Sequence, residues 1–432
     1  MTYSLLRSAR RLTAFVSAQT LVQVTQIVTG IALVRWLSVD EFAQYTLAFG
    51  VAATLGALVD VGCSSSVLPL VGSRVRDRHV FGTYLRSALH LRTRVFVALL
   101  IPGAGAFLVL SAGHGWSLGL RLSLLATIFA FVIARANFDL YALPLLSHER
   151  YREYYGVQLV SNVARFAAAA ALRVAGSLTG VTASVLNALV LFWLGQVYKR
   201  RSREHLHPDA IQSRESRTEI VAFTKPLVPG IVFFSLQAQI TVFLASLFGA
   251  TVAIAQMGAL TRLGSLFAVL AGVSAVIISP RFPQLSHERL PAEIRRALIL
   301  AAAAGAVLAA AAFAVPSWFL FLLGPAYADL TTMVGWFMLA SAISFLAGVI
   351  YLINLARKFV RMRETLMAVA LVLATQVVCA ATLDLGDLLD LQYFALATAV
   401  ASLVSQAAML RLGLARAERQ TGGEVPTPAV AA

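Results

Sequence analysis

The chain has little charge, few acidic residues and almost no cysteine. Charged residues make up 13% of its 432 positions and hydrophobic residues 59%, a balance too apolar for a soluble globular domain. Its two cysteines, Cys63 and Cys379, both fall inside predicted helices, so neither a disulfide framework nor a thiol site is indicated. These shortages exclude a soluble or disulfide-stapled protein and indicate a chain solvated mainly by lipid.

The motifs of several catalytic and binding classes are also missing. A phosphate loop of the form GxxxxGK[ST] does not occur, so this chain is not expected to hydrolyse ATP. Histidines lie in loops or near predicted helix ends, and His205 with His207 is too sparse a pair for a metal site. No gap between apolar segments has room for a catalytic domain. We therefore expect no covalent chemistry, no metal and no cofactor.

Twelve apolar segments are long enough to cross a bilayer, which takes about 20 residues of helix. They form two sets of six, residues 1–198 and 221–412, joined by a polar linker at 199–220 and followed by a tail, 413–432, that is expected to be disordered. The sequence thus predicts an all-α membrane protein. The predicted spans are residues 11–35, 42–71, 93–112, 116–143, 155–175, 178–198, 222–248, 252–279, 297–323, 328–355, 364–383 and 391–412.

The basic residues predict the orientation of these spans. All but six of the 35 Lys and Arg residues lie at the N-terminus, in every second gap or in the tail. Positively charged loops stay on the cytoplasmic side, so both termini are predicted to be cytoplasmic, in a cell inner membrane. The basic surplus then reflects topology and contact with anionic lipid headgroups rather than nucleic-acid binding. The first segment is too long for a signal peptide and should be retained.

Six arginines depart from this pattern. Three lie at the outer edge (Arg35, Arg121, Arg173) and three lie deeper within predicted helices (Arg135, Arg165, Arg262). An arginine at the centre of a membrane helix costs about 2.5 to 3.5 kcal/mol, so each deep one should face protein or a wet cavity. Each has two readings, a cavity role or a hydrogen bond between helices.

The polar neighbours of the deep arginines refine these readings. Arg135 and Asp139 are four residues apart on one helix face, a spacing that predicts an ion pair. Arg165 shares a face with Gln158 and Ser161, and Arg262 shares one with Gly258 and Ser265. Asp60 remains open as a counter-ion, a proton-coupling carboxylate or a helix-packing partner.

Uncharged polar side chains form a stripe along the first span. Gln19, Gln23, Gln26 and Gly30 follow a helical repeat opposite an apolar surface. Such a stripe suits a lumen that lets hydroxyl-rich cargo slide past, or it holds helices together. Lys225, Pro226, Pro229 and Gly230 open the seventh span, either as a hinge or as an ordinary helix start.

Several short motifs follow one another along the chain: Arg35-Trp-Leu-Ser-Val-Asp-Glu-Phe-Ala-Gln-Tyr45, Asp60-Val-Gly62, Leu227 to Gly249, Gln256 to Arg262, and Ser279-Pro280 with Pro283-Gln-Leu-Ser286. Their order resembles that in the polysaccharide flippases of the multidrug/oligosaccharidyl-lipid/polysaccharide exporter (MOP) superfamily. Ala43 stands where the family often has glycine. In the seventh predicted span, Gln237 and Gln239 stand where an acidic residue is frequent in the family, which puts ion coupling through that span in doubt. The resemblance implies two six-helix bundles in a V around a central cavity, and a polyprenyl-pyrophosphate-linked glycan as cargo.

The charge balance suits such a cargo. Arg135, Arg165 and Arg262 against Asp60 and Asp139 leave one positive charge in excess, which favours a pyrophosphate and opposes organic cations. We therefore expect a flippase for a lipid-linked oligosaccharide that works by alternating access, with membrane lipids and other polysaccharide-assembly proteins as partners and a monomer as its working state. The expected cargo contacts are Arg165, Arg262, Arg135, Gln19, Gln23, Gln26 and Lys225. A small-molecule exporter of the same fold and a membrane-embedded glycan polymerase or ligase are the alternatives.

Overall fold

The computed structural model describes residues 2–286 and 288–422, and these residues are almost entirely helical. Sixteen α-helices and six short 3-10 helices account for the described chain, with no strand among them. The α-helices are α1 Thr2–Trp36, α2 Val39–Asp60, α3 Cys63–Val71, α4 Arg78–Leu110, α5 Leu118–Ser147, α6 Tyr151–Val174, α7 Gly180–Arg201, α8 Arg214–Thr224, α9 Val228–Gln237, α10 Ile240–Phe248, α11 Thr251–Arg281, α12 Leu290–Ala314, α13 Pro316–Leu323, α14 Thr331–Ala356, α15 Met362–Thr382 and α16 Leu388–Gly422. The 3-10 helices are Gly72–Arg76, Ala112–His114, Ser202–His205, Lys225–Leu227, Phe282–Gln284 and Pro325–Leu330.

Ten helical segments of the described chain are long and apolar enough to cross a membrane, which confirms an all-α, multi-pass membrane protein. The predicted spans 11–35 and 155–175 are not among the ten. They correspond to α1 and α6, which carry the glutamine stripe and Arg165 and pack against each other.

Three of the predicted continuous spans are interrupted. Span 42–71 breaks between α2 and α3, where Val61 and Gly62 adopt left-handed backbone angles (φ 43° and 77°). Span 297–323 breaks at Val315, because Pro316 begins a new helix and supplies no amide donor. Span 222–248 consists of the end of α8, a 3-10 turn, α9 and α10. A hydropathy pattern carries no information on backbone angles, so the sequence did not predict these three breaks.

The helices pack as two groups, which we call the first bundle (α1–α7) and the second bundle (α9–α16). Within the first, α5 packs on α7 and α2, and within the second, α14 packs on α16, α12 and α11. The bundles meet where α1 and α2 contact α11. Helix α16 runs ten residues past the predicted span, so the tail predicted as disordered is helical to Gly422, and residues 423–432 lie outside the described chain.

The segment joining the bundles is attached to the first bundle. Ala210 is fully buried, and a Cβ built on Gly82 of α4 would lie 2.8 Å from the Cβ of Ala210. Ser202 Oγ donates to the carbonyl of Tyr141 (2.8 Å), and Ile220 of α8 belongs to a buried cluster with helices α3, α4, α5 and α7. The connection is therefore part of the first bundle's fold as far as α8.

The two ends of the molecule differ in how tightly the bundles meet. We call the end that carries residues 202–213 the linker face and the opposite end the far face. In α11, the residues from Ala253 to Phe267 are mostly buried, whereas Ile278 is the one buried hydrophobic side chain described in the half nearer the linker face. The described side chains of α1, residues 18–36, show the same gradient. The bundles are thus sealed at the far face and more accessible toward the linker face.

Candidate functional site

Four charged side chains form a network inside the first bundle. Arg92 of α4 is 1% exposed, and its guanidinium lies 3.2 Å from Asp60 Oδ1 and 3.3 Å from Asp139 Oδ2. It also donates to Ser64 Oγ (3.0 Å) and to the carbonyl of Ala136 (3.3 Å). Asp60, left open by the sequence, is therefore held between helices by an arginine that the sequence assigned to a basic gap.

Arg135 completes this network. Its Nε lies 2.9 Å from Asp139 Oδ1, the ion pair that their spacing predicts. The side chain of Arg135 is nevertheless 46% exposed, and its stem approaches Gly56 of α2. Two arginines and two aspartates balance here, so the predicted charge count needs correction: Arg135 adds no net charge, and Arg92 must be included.

Arg165 of α6 lies in the first bundle without an acidic partner. Its Nη1 donates to Asn187 Oδ1 of α7 (2.9 Å), while its Nε is buried without a hydrogen-bond partner. Ser161, predicted on the same polar face, is buried and donates to the carbonyl of Val157 in its own helix. The predicted polar stripe thus faces protein, and Arg165 retains an unused donor.

Arg262 of α11 belongs to the second bundle but reaches the first. Its guanidinium carbon lies 5.7 Å from the ring centre of Tyr45 and 5.4 Å from that of Phe49, both on α2. Its Nε is also buried without a hydrogen-bond partner. Gly258, one turn earlier, contacts Thr46 of α2 so closely that a Cβ would lie 2.3 Å from the Thr46 hydroxyl.

Arg165 and Arg262 form the uncompensated part of the site. Arg165 bonds to Asn187, and Arg262 lies over Tyr45 and Phe49. Within the described residues, no carboxylate lies within 4.0 Å of either guanidinium. Tyr45 and Asn187 line one small cavity beside them, together with Phe49 and Ser184. Two positive charges without acidic partners thus border one small cavity through these contacts, an arrangement that suits an anion.

The glutamine stripe of α1 lies next to this junction. A Cβ on Gly272 of α11 would lie 3.3 Å from Nε2 of both Gln19 and Gln23, so these two side chains face the second bundle. Gln26 is exposed, although the exposed apolar residues Leu21 and Val24 lie on the opposite face of the helix. Its amide therefore points to an accessible space inside the protein rather than toward lipid.

The remaining predicted residues lie apart from the two arginines. Lys225 is exposed in the 3-10 turn between α8 and α9, so the stretch that it opens continues a helix rather than starting one. Gln237 accepts a hydrogen bond from Gln376 of α15, which makes it a contact within the second bundle. The described residues contain no group of three or more His, Cys, Asp or Glu side chains able to hold a metal ion.

The far face is closed by contacts between the bundles. His114, between α4 and α5, has Nε2 2.9 Å from the carbonyl oxygen of Ser246 and Nδ1 3.2 Å from the hydroxyl of Thr251. Phe42 and Tyr327 meet edge to face at 6.4 Å between ring centres. Hydrogen bonds and aromatic packing thus join α10, α11 and the 3-10 helix Pro325–Leu330 to the first bundle.

Comparison with known proteins identifies this architecture. No protein-family model matches the chain, and no curated protein matches its sequence. Among solved structures, an inward-facing multidrug resistance MATE family transporter of the MOP superfamily aligns with a TM-score of 0.66 and 14% identity, over 94% of this chain and 96% of that one. The lipid II flippase MurJ, in an inward closed conformation, aligns with a TM-score of 0.65 and 12% identity, over 94% and 87%.

A third similar structure is a MOP superfamily transporter from Pyrococcus furiosus, described as having a binding pocket of reverse polarity. It aligns with a TM-score of 0.65 and 14% identity, over 95% of this chain and 96% of that one. Sequence identities this low show that the fold is shared and nothing more. The chain therefore has the fold of the membrane transporters of the MOP superfamily.

Proposed function

We propose that this protein is a flippase that moves a polyprenyl-pyrophosphate-linked oligosaccharide across the cytoplasmic membrane by alternating access, for cell-surface polysaccharide biosynthesis. One observation carries the proposal. Arg165 of the first bundle bonds to Asn187, Arg262 of the second lies over Tyr45 and Phe49, and these three partners line one small cavity. Each arginine has a buried unpartnered Nε and no carboxylate within 4.0 Å in the described chain.

A charged headgroup is costly to move into a membrane. A pyrophosphate that leaves water for a membrane cavity loses hydration worth many kcal/mol unless paired charges replace it. Arginine replaces it well, since its planar fork donates two parallel hydrogen bonds to phosphate oxygens. Neutral amides such as those of Gln23 and Gln26 can then form hydrogen bonds with the sugar hydroxyls without adding charge. The polyprenyl tail stays in lipid.

The described conformation fits one stage of such a cycle. The bundles are sealed at the far face and accessible toward the linker face, where most of the basic residues lie. Because positively charged loops stay in the cytoplasm, we assign the linker face to the cytoplasmic side. In this state, cargo enters from the cytoplasmic leaflet of the inner membrane.

Transport by the purified protein in liposomes tests the proposal. Arg165→Ala and Arg262→Ala should each lower the flux of a polyprenyl-pyrophosphate disaccharide by tenfold or more, since each removes a charge-assisted contact worth about 1.5 to 3 kcal/mol. Arg173→Ala is the matched control, because Arg173 is exposed near the far end of the same helix as Arg165. Wild-type flux in both site variants, with normal insertion, would refute the assignment.

A second candidate is a small-molecule exporter of the same fold. Asp60 and Asp139 favour it, since their side chains are 22% and 19% exposed and carboxylates attract organic cations. Their pairing with Arg92 weighs against it. Export of a cationic dye that is lost in Asp139→Asn and retained in Arg165→Ala would favour this candidate over the flippase.

A further inference from the structure

The contact between Arg262 and two aromatic rings joins the two bundles. Tyr45 and Phe49 lie four residues apart on α2, and their ring centres are 6.1 Å apart with planes inclined by 20°. The guanidinium of Arg262, from the second bundle, lies over both rings. We call these two rings the aromatic shelf. Attraction between a cation and a ring face does not use the N–H donors of the cation.

The backbone of α1 closes the other side of the Arg262 side chain. A Cβ built on Gly30 would lie 3.1 Å from Arg262 Cδ and 3.6 Å from its Nε. The arginine stem therefore occupies a slot between Gly30 and the aromatic shelf. Both walls of the slot belong to the first bundle, and the buried Nε has no hydrogen-bond partner. This arrangement fixes the position of the charge while leaving its donors unused.

Such a slot makes the arginine sensitive to an incoming anion. The ring faces offer only quadrupolar attraction, whereas a phosphate offers a full negative charge and oxygens that accept two parallel hydrogen bonds. An anion bound by the free N–H donors therefore draws the guanidinium toward itself, and this movement reduces its overlap with the two ring faces. Because the shelf belongs to the other bundle, loss of the ring contact weakens the junction between the bundles near the sealed far half.

We propose that Tyr45 and Phe49 are positioning residues that hold Arg262 across the bundle junction in the empty protein and release it to the pyrophosphate of the cargo, so that cargo binding loosens the far-face seal. The identity of the anion rests on the proposed function. The contact between the shelf and Arg262 stands independently of it. Neither ring touches the cargo in this account, and both act through Arg262.

The experiment measures the distance between the bundles at the far face. Spin labels are placed at Gly113→Cys, an exposed position in the first bundle with open space around it, and at Ala328→Cys, an exposed position in the second, after Cys63 and Cys379 are replaced by alanine. Pulsed electron–electron double resonance in lipid nanodiscs then gives the distance between the labels, and from it the ratio of closed to open molecules. It is recorded with and without a polyprenyl pyrophosphate.

The variants of the aromatic shelf are compared with conservative substitutions as controls. In the empty protein, Tyr45→Leu with Phe49→Leu should raise the open fraction by roughly 5- to 30-fold, the equivalent of losing a desolvated cation–ring contact. Tyr45→Phe keeps a ring and should behave as wild type. Arg262→Lys keeps a cation over the rings, so it should remain closed when empty but bind the lipid less tightly.

The outcomes separate this inference from the proposed function. The proposed role of the aromatic shelf is overturned if the double leucine variant keeps the wild-type distance distribution while its thermal stability is like that of Tyr45→Phe. It is also overturned if the lipid opens the double leucine variant by as large a factor as it opens wild type. If wild type does not bind the lipid at all but the double leucine variant still opens, the contact between the shelf and Arg262 is supported. The same result refutes a polyprenyl pyrophosphate as the cargo.

Discussion

Nη1 of Arg92 lies 3.2 Å from Oδ1 of Asp60, and this pair ties α4 to the end of α2 inside the first bundle. The same guanidinium reaches Asp139, which in turn binds Arg135. Positive and negative groups therefore alternate through three helices. With these four charges neutralised among themselves, the excess positive charge of the deep arginines comes from Arg165 and Arg262.

Replacing Arg92 should destabilise the protein more than any exposed arginine does. Arg92→Gln leaves two aspartates without their shared partner, a change that costs about 3 to 5 kcal/mol in the free energy of unfolding. Thermal unfolding in detergent measures the effect. Arg94→Gln is the control, because Arg94 is exposed two residues away in the same helix. Equal stability in the two variants would mean that the buried network does not support the fold.

A valine in place of Gly30 should lower the affinity for cargo. A valine there displaces the Arg262 stem, since even a Cβ would lie 3.1 Å from Arg262 Cδ. Overpacking strain of this kind is about 1 to 3 kcal/mol. If displacement of Arg262 relieves it, the dissociation constant of a polyprenyl pyrophosphate should rise by roughly 5- to 150-fold. Gly105→Val in α4 meets open space and serves as the control. Unchanged affinity in Gly30→Val would contradict the slot.

His114 should hold the far face closed. His114→Ala removes the hydrogen bonds to Ser246 and Thr251, and two such bonds are worth about 1 kcal/mol each. A cysteine at Thr46, which is 6% exposed, should then react with a water-soluble maleimide roughly tenfold faster. Arg121→Ala is the comparison, since Arg121 contacts the carbonyl of Ala112 in its own bundle. Equal labelling rates in the two variants would mean that His114 does not hold the far face closed.

The sequence predicted features that repeat locally and missed those that depend on distant segments. Hydropathy located the ten spans that the described helices confirm, and the four-residue spacing of Arg135 and Asp139 predicted their ion pair. Arg92 was missed because α4 begins at Arg78, well before its apolar part, so the residue looked like part of a basic loop. The aromatic shelf was missed because α2 and α11 meet only in the folded chain. Tyr45 and Phe49 differ in no sequence signal from ordinary core residues.

The central claim is that Arg165 and Arg262 together bind the pyrophosphate of the cargo. Its most direct test is a titration of the purified protein with two lipids that share one polyprenyl chain, one ending in pyrophosphate and the other in an uncharged alcohol. Wild type and Arg173→Ala should prefer the pyrophosphate by about 100-fold or more, as two charge-assisted contacts imply. The double variant Arg165→Ala with Arg262→Ala should bind both lipids almost equally. A double variant that folds normally and keeps the wild-type preference would contradict the account.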